Sequence, residues 1–122
     1  MNLPDTEDDA TARLCAAMRN ALRSAPAVSR GDAFPRAWWQ HLGAQAMLGV
    51  GFDPDGGEPR ADWPAVAALA GIIARETAHL GLALGWLMNE MLGRFVIGPH
   101  VGNDGHRALL RMMARGRKIV AL

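Results

Sequence analysis

The chain has 122 residues, 13 of them basic and 12 acidic, so its net charge is about +1. No run of basic residues could follow a phosphate backbone, which argues against nucleic acid as a partner. A single cysteine excludes an internal disulfide and a thiolate metal site. An acidic N-terminus and an apolar stretch limited to Leu80–Met88 predict a soluble, cytoplasmic chain without a membrane span.

The first two helices are predicted from charge placement and from their flanking residues. The first covers about Asp5 to Ser24, with acidic residues in its first turn and arginines near its end, as the helix dipole favours. The second has Pro35 in its first turn, where proline is well tolerated, and ends at Gly49. The turn-rich segment FDPDGGEPRAD follows as the longest predicted loop.

The third helix is predicted to be buried on several sides. Asp62 is a suitable N-cap for it, and the residues from Ala65 to Ala74 are almost all apolar. A break is expected near His79 to Gly81, because one continuous helix to Leu92 would be unusually long for a globular domain.

The remaining chain is predicted to form two more helices and one strand start. The fourth helix covers about Leu82 to Leu92 and is followed by a short apolar piece, Phe95 to Ile97. The fifth begins at Asn103 or Asp104 and stops at Gly116. The predicted fold class is all-α, an up-and-down bundle of five or six helices that ends in the first residues of a β-strand, 118–122.

Catalytic patterns are sparse in this sequence. The four histidines include no pair at the spacing of a helical zinc site, and no metal site is predicted. Ser24 has no evident base partner, and Asp53 to Gly57 is interpreted as a turn and not as a calcium loop. Arg75 and Glu76 are interpreted as a solvated pair at a helix end.

Two glycines, Gly81 and Gly85, lie four residues apart in the fourth helix and leave a shallow groove on one face. Close helix packing would explain this groove. A ligand lying along it, with Trp86 and Asn89 shaping it, is the alternative explanation. The sequence leaves both interpretations open.

Five segments follow one another in an order that is typical of a known enzyme family. They are FPRAWWQHLGAQAMLGVG (Phe34 to Gly51), DGG (Asp55 to Gly57), LAGIIARETA (Leu69 to Ala78), LALGWLMNEMLG (Leu82 to Gly93) and GNDGHRALLRMMARGRKIVAL (Gly102 to Leu122). This ordered set resembles the N-terminal helical domain of acyl-CoA dehydrogenases. In that family the domain leads through a Gly-x-x-Ile segment into a middle β-domain. The resemblance therefore implies that residues 1–117 form the helical domain and that 118–122 begin a middle domain absent from this chain.

The resemblance implies an FAD-dependent α,β-dehydrogenation of an acyl thioester, carried on coenzyme A or on an acyl carrier. In the family a carboxylate base removes the α-proton and flavin N5 takes the β-hydride. Base and most of the FAD site belong to the other domains, so neither Glu76 nor Glu90 takes the role of base. We expect the 122 residues alone to be inactive, and the full-length enzyme to be a homo-oligomer.

In that family the helical domain forms one wall of the acyl-chain pocket. Carried over by position, Gly85, Trp86, Asn89 and Leu92 are the candidate substrate contacts, and Leu122 matches a position next to the flavin. The bulk of Trp86 suggests a short or unusual acyl group.

Several alternatives stay open at this stage. A stand-alone helical interaction module, or a split-enzyme subunit without catalysis of its own, would share the same helices. Nitroalkane oxidases and flavin-dependent monooxygenases also have this helical domain, so the resemblance leaves the reaction class, the acyl length and the electron acceptor undecided.

Overall fold

The helical elements of the chain confirm the all-α prediction. The computed structural model describes residues 7–26, 34–55, 57–100, 102 and 104–119. These residues contain no strand; Lys118 and Ile119 are irregular, and the rest of the predicted strand start, 120–122, lies outside the described residues. The α-helices of the described chain are α1 (Glu7–Arg23), α2 (Arg36–Ala44), α3 (Trp63–Thr77), α4 (Leu80–Met91) and α5 (Asp104–Ala114).

The third helix is the centre of the bundle, as its apolar sequence predicts. α3 packs against α1 on one side and against α4 on the other. Leu69 and Ile73 are fully buried in the main core, together with Met18 from α1 and Trp86 from α4. A helix that is apolar on most sides can bury all of them only when it has neighbours on more than one side.

The beginning of α3 is fixed by the predicted cap. The Asp62 side chain accepts a hydrogen bond of 2.9 Å from the backbone N–H of Ala65, one of the groups that the first turn leaves without a helical partner.

Replacing Asp62 by alanine is expected to lower the free energy of unfolding by about 1 kcal/mol, because the Ala65 N–H then loses its acceptor. The isosteric variant Asp62→Asn should keep most of that stability. Urea denaturation followed by circular dichroism measures both, and equal losses in the two variants would argue against the cap.

The predicted break between the third and fourth helices is confirmed. Ala78 has a left-handed backbone with φ of 52°, and His79 is extended. The His79 ring then starts α4, since its Nδ1 accepts a hydrogen bond of 3.0 Å from the Leu82 N–H. The short connection folds α4 back onto α3.

The predicted end of the fourth helix at Leu92 is confirmed to within one residue, since the α-helix ends at Met91, but the chain stays helical beyond it. α4 passes directly into a π-helical segment, Leu92–Ile97, and a 3₁₀ turn, Gly98–His100. The Phe52 ring lies against the backbone of this segment, so closely that a methyl group on Gly93 would overlap it. Phe52 comes from the loop before α3, so a contact between distant parts of the chain accompanies the irregular winding.

The stretch Leu80–His100 is therefore 21 residues of continuous helical chain, longer than the apolar run on which the sequence argument against a membrane span relied. By length and hydropathy it could cross a bilayer. Core helices of soluble proteins pass the same test, and this stretch buries Leu82, Trp86 and Leu92 inside the bundle.

A second, smaller core lies beyond the first. Leu92 packs there with Phe52 and with Leu110 and Met113 of α5. The π-helical segment thus joins the two cores, and α5 is held against it.

Candidate functional site

The helix α4 carries all but one of the predicted substrate contacts. Trp86 is fully buried in the main core, and its indole N–H donates a hydrogen bond of 2.8 Å to the Met47 carbonyl. Leu92, directly after α4, belongs to the second core. The structure thus places Trp86 and Leu92 in different cores, and both are enclosed by protein.

The glycine groove is filled by an aromatic side chain where Gly85 lies. A methyl group on Gly85 would come 3.2 Å from the Phe34 ring and 4.0 Å from Trp39. The two rings meet edge to face, with centroids 5.5 Å apart. At Gly85 the groove thus shows the close packing that was one of the two interpretations of its sequence.

Asn89 is a polar side chain inside the core. It is 3% exposed, and neither amide atom has a hydrogen-bond partner among the residues that the structure describes. Burying an amide without such partners costs roughly 1–3 kcal/mol. Among the predicted contacts, Asn89 therefore has the most hydrogen-bonding capacity left for a ligand. The remaining predicted residue, Leu122, lies outside the described residues.

Glu90 is the candidate functional residue whose position in the fold the sequence analysis did not predict, beyond excluding it as the catalytic base. It is fully buried, and its two carboxyl oxygens accept hydrogen bonds from the backbone N–H groups of Gly49, at 3.1 Å, and Val50, at 2.9 Å. Burial raises the pKa of Glu90 to about 8, although these N–H groups and the more distant charge of Arg60 act in the opposite direction.

Arg94 holds the same loop from one helical turn further on. Its guanidinium donates to the Ala61 carbonyl at 3.0 Å, and Ala61 in turn donates to the Val50 carbonyl at 2.9 Å. Glu90 and Arg94 thus bind both ends of the loop between α2 and α3. One sequence signal could have indicated this role: Glu90 and Arg94 are four residues apart in a helical stretch whose other residues are mostly apolar.

Glu90 has the geometry of a positioning residue. Both oxygens are engaged by the loop, so neither faces a substrate. Glu76, the other carboxylate considered, is partly exposed and forms a long ion pair with Arg23, at 3.8 Å. That contact replaces the predicted pairing of Glu76 with Arg75.

We expected no base near Ser24, and this expectation was wrong, because a histidine lies within hydrogen-bond distance of it. Its hydroxyl lies 3.1 Å from His41 Nε2. The same nitrogen is 2.9 Å from the Ala21 carbonyl, which can only accept, so Nε2 carries the proton and cannot take one from Ser24. The Ser24 hydroxyl also donates to Ala21. The group caps the end of α1 and is not a nucleophile–base pair.

The outward face of α4 and the π-helical segment is apolar. The only charged residues between Leu80 and Ile97 are Glu90, which is fully buried, and the half-buried Arg94. An uncharged face of this length is typical of a surface that another element covers. Its large exposed side chains, at helical spacing, are Leu80, Leu84, Met88, Met91 and Phe95.

Comparisons of the chain with protein-family models, with curated proteins and with solved structures gave no match. The functional assignment therefore depends on the residues themselves.

Proposed function

We propose that this chain is the N-terminal helical part of an FAD-dependent acyl-CoA dehydrogenase, in which α4 helps to wall the acyl-chain pocket. The support is the ordered resemblance of its segments to that family, together with an all-α bundle of the kind that the resemblance implies. The observation that carries the proposal is the uncharged outward face of α4. The helix assigned to the acyl pocket leaves four large apolar side chains exposed, those of Leu80, Leu84, Met88 and Met91.

In the proposed reaction this chain contributes apolar contacts to the acyl group. A carboxylate base elsewhere in the enzyme would remove the α-proton of the thioester, and FAD, when bound, would supply the acceptor for the β-hydride. No described residue is a predicted flavin contact, because Leu122 lies outside them. We place the acyl chain on the outward face of α4, along the exposed side chains of Leu84 and Met88.

The test uses the complete polypeptide that the gene encodes. We expect it to carry one flavin per chain, whose visible absorbance is bleached anaerobically by acyl-CoA thioesters. The bulk of Trp86, from which the resemblance implied a short acyl group, lies in the main core and away from the outward face, so the rates for acyl chains of several lengths are compared.

A matched pair of variants tests the placement of the acyl chain. Met88→Glu puts a charge on the outward face of α4 and should slow bleaching by about tenfold or more without releasing flavin, since burying a carboxylate beside an acyl chain is costly. Met112→Glu makes the same change at a similarly exposed methionine of α5 and should leave the rate unchanged. Absence of flavin, or bleaching by no acyl thioester, would overturn the assignment.

A second candidate, the stand-alone interaction module or split-enzyme subunit, is favoured by the same apolar face. A chain acting alone would cover it by self-association. Sedimentation of the purified 122-residue chain should then show a dimer that Leu84→Glu dissociates and Met112→Glu does not. A monomer at all concentrations argues against the module, and stoichiometric flavin on this chain argues against the dehydrogenase domain.

A further inference from the structure

A cleft of about 600 Å³ lies between α2 and the turn that follows α5. Four of its lining residues are cationic: Arg36 from α2, and Arg115, Arg117 and Lys118 from the turn. None of the lining residues is acidic. Nearly a third of the 13 basic residues of a chain with net charge +1 thus surround one depression.

Two glycines hold the walls of the cleft together. A methyl group on Gly43 would overlap the backbone carbonyl of Arg115. Gly116 has a φ of +75°, and a methyl group there would come 3.2 Å from the Trp39 carbonyl. Only glycine permits such close backbone approach with this conformation. The cations on the two walls are therefore held facing a common space by backbone contacts.

The four cations lack anionic partners within the described chain. The ion pairs there engage other arginines, Arg23 with Glu76 and Arg111 with Asp55. Like charges that share a cleft repel one another, and an anion placed between them relieves that repulsion. The N-terminus of α2, at Arg36, adds the positive end of a helix dipole and has no side-chain cap.

We propose that this cleft binds the phosphate or pyrophosphate group of a small molecule. One arginine guanidinium can donate two parallel hydrogen bonds to two oxygens of a phosphate group, and a lysine ammonium lacks this two-pronged geometry. The volume is within the range of small-molecule pockets. The cations are confined to one cleft and do not form a stripe, which disfavours a nucleic-acid backbone. This site does not depend on the dehydrogenase assignment.

Calorimetric titration of the 122-residue chain with inorganic pyrophosphate tests the proposal. We expect saturable binding that is about tenfold tighter than that of inorganic phosphate, because the larger anion reaches more of the cations. Arg115→Gln and Gln40→Glu should each weaken it by about tenfold or more; the second places a carboxylate inside the cleft at an exposed position of α2.

The control is Arg75→Gln, which removes the same charge from an exposed position on α3, outside the cleft. It should change the affinity by less than about twofold. Circular dichroism confirms that each variant is folded. No pyrophosphate binding at millimolar concentration, or an equal loss in Arg75→Gln, would overturn the proposal. Binding to vesicles of anionic phospholipid without binding of free pyrophosphate would also overturn it, and would point to a lipid headgroup.

Discussion

Trp86→Ala is expected to lower the free energy of unfolding by about 3–5 kcal/mol. The side chain is fully buried between α3 and the loop after α2, so its removal leaves a large cavity in the main core. The indole N–H also donates to the Met47 carbonyl, which would be left buried without that donor. Urea denaturation followed by far-ultraviolet circular dichroism measures the loss.

Two further variants separate the contributions. Trp86→Phe keeps most of the volume and loses the hydrogen bond, so we expect an intermediate loss of about 1–3 kcal/mol. Leu84→Ala, on the exposed face of the same helix at 55% exposure, should cost about 0.5 kcal/mol or less. A Trp86→Ala loss as small as that of Leu84→Ala would contradict the core position of Trp86.

Raising the pH from about 4.5 to about 8 is expected to destabilise the chain through Glu90. Burial raises the pKa of Glu90 in the folded chain to about 8, against an ordinary value of 4.5. Between these values the unfolded chain has lost the proton and the folded chain keeps it. The stability contributed by Glu90 is therefore complete below pH 4.5 and is lost by pH 8; the loss is several kcal/mol, since one pKa unit corresponds to about 1.4 kcal/mol.

Glu90→Gln is the control for this pH dependence. Glutamine does not titrate, so the free energy of unfolding should vary much less across the same pH window. The variant should also be less stable at low pH by about 1–3 kcal/mol, because its NH₂ group faces a backbone N–H of the loop. Equal slopes of stability against pH in the parent and the variant would show that Glu90 is not the group responsible.

The sequence predicted most of the fold because the relevant signals are local. Asp62 caps the helix that begins at the next residue, by accepting from the N–H of Ala65 three residues later, and the break at Ala78 follows from the length of the apolar run. Such features need only neighbouring residues. The buried centre of the bundle was predicted in the same way, from the almost unbroken apolar sequence of α3.

The features that the sequence reasoning missed depend on contacts between distant residues. Glu90 binds backbone groups about 40 residues earlier in the chain, and no pattern within α4 specifies that pairing. The continuation of the helix past Leu92 occurs where Phe52 packs on Gly93, a contact between separate segments. The burial of the Asn89 amide also depends on contacts between distant residues, because only the packing of the helices decides whether this amide is exposed to solvent or buried.

The coding sequence that directly follows Leu122 tests the proposed function most directly. We expect the reading frame to continue through a Thr-Glu-Pro or Ser-Glu-Pro segment into a β-domain, as the resemblance to acyl-CoA dehydrogenases implies. A stop codon directly after Leu122 would contradict the proposal that this chain is part of a longer flavoenzyme, and would favour the self-associating module.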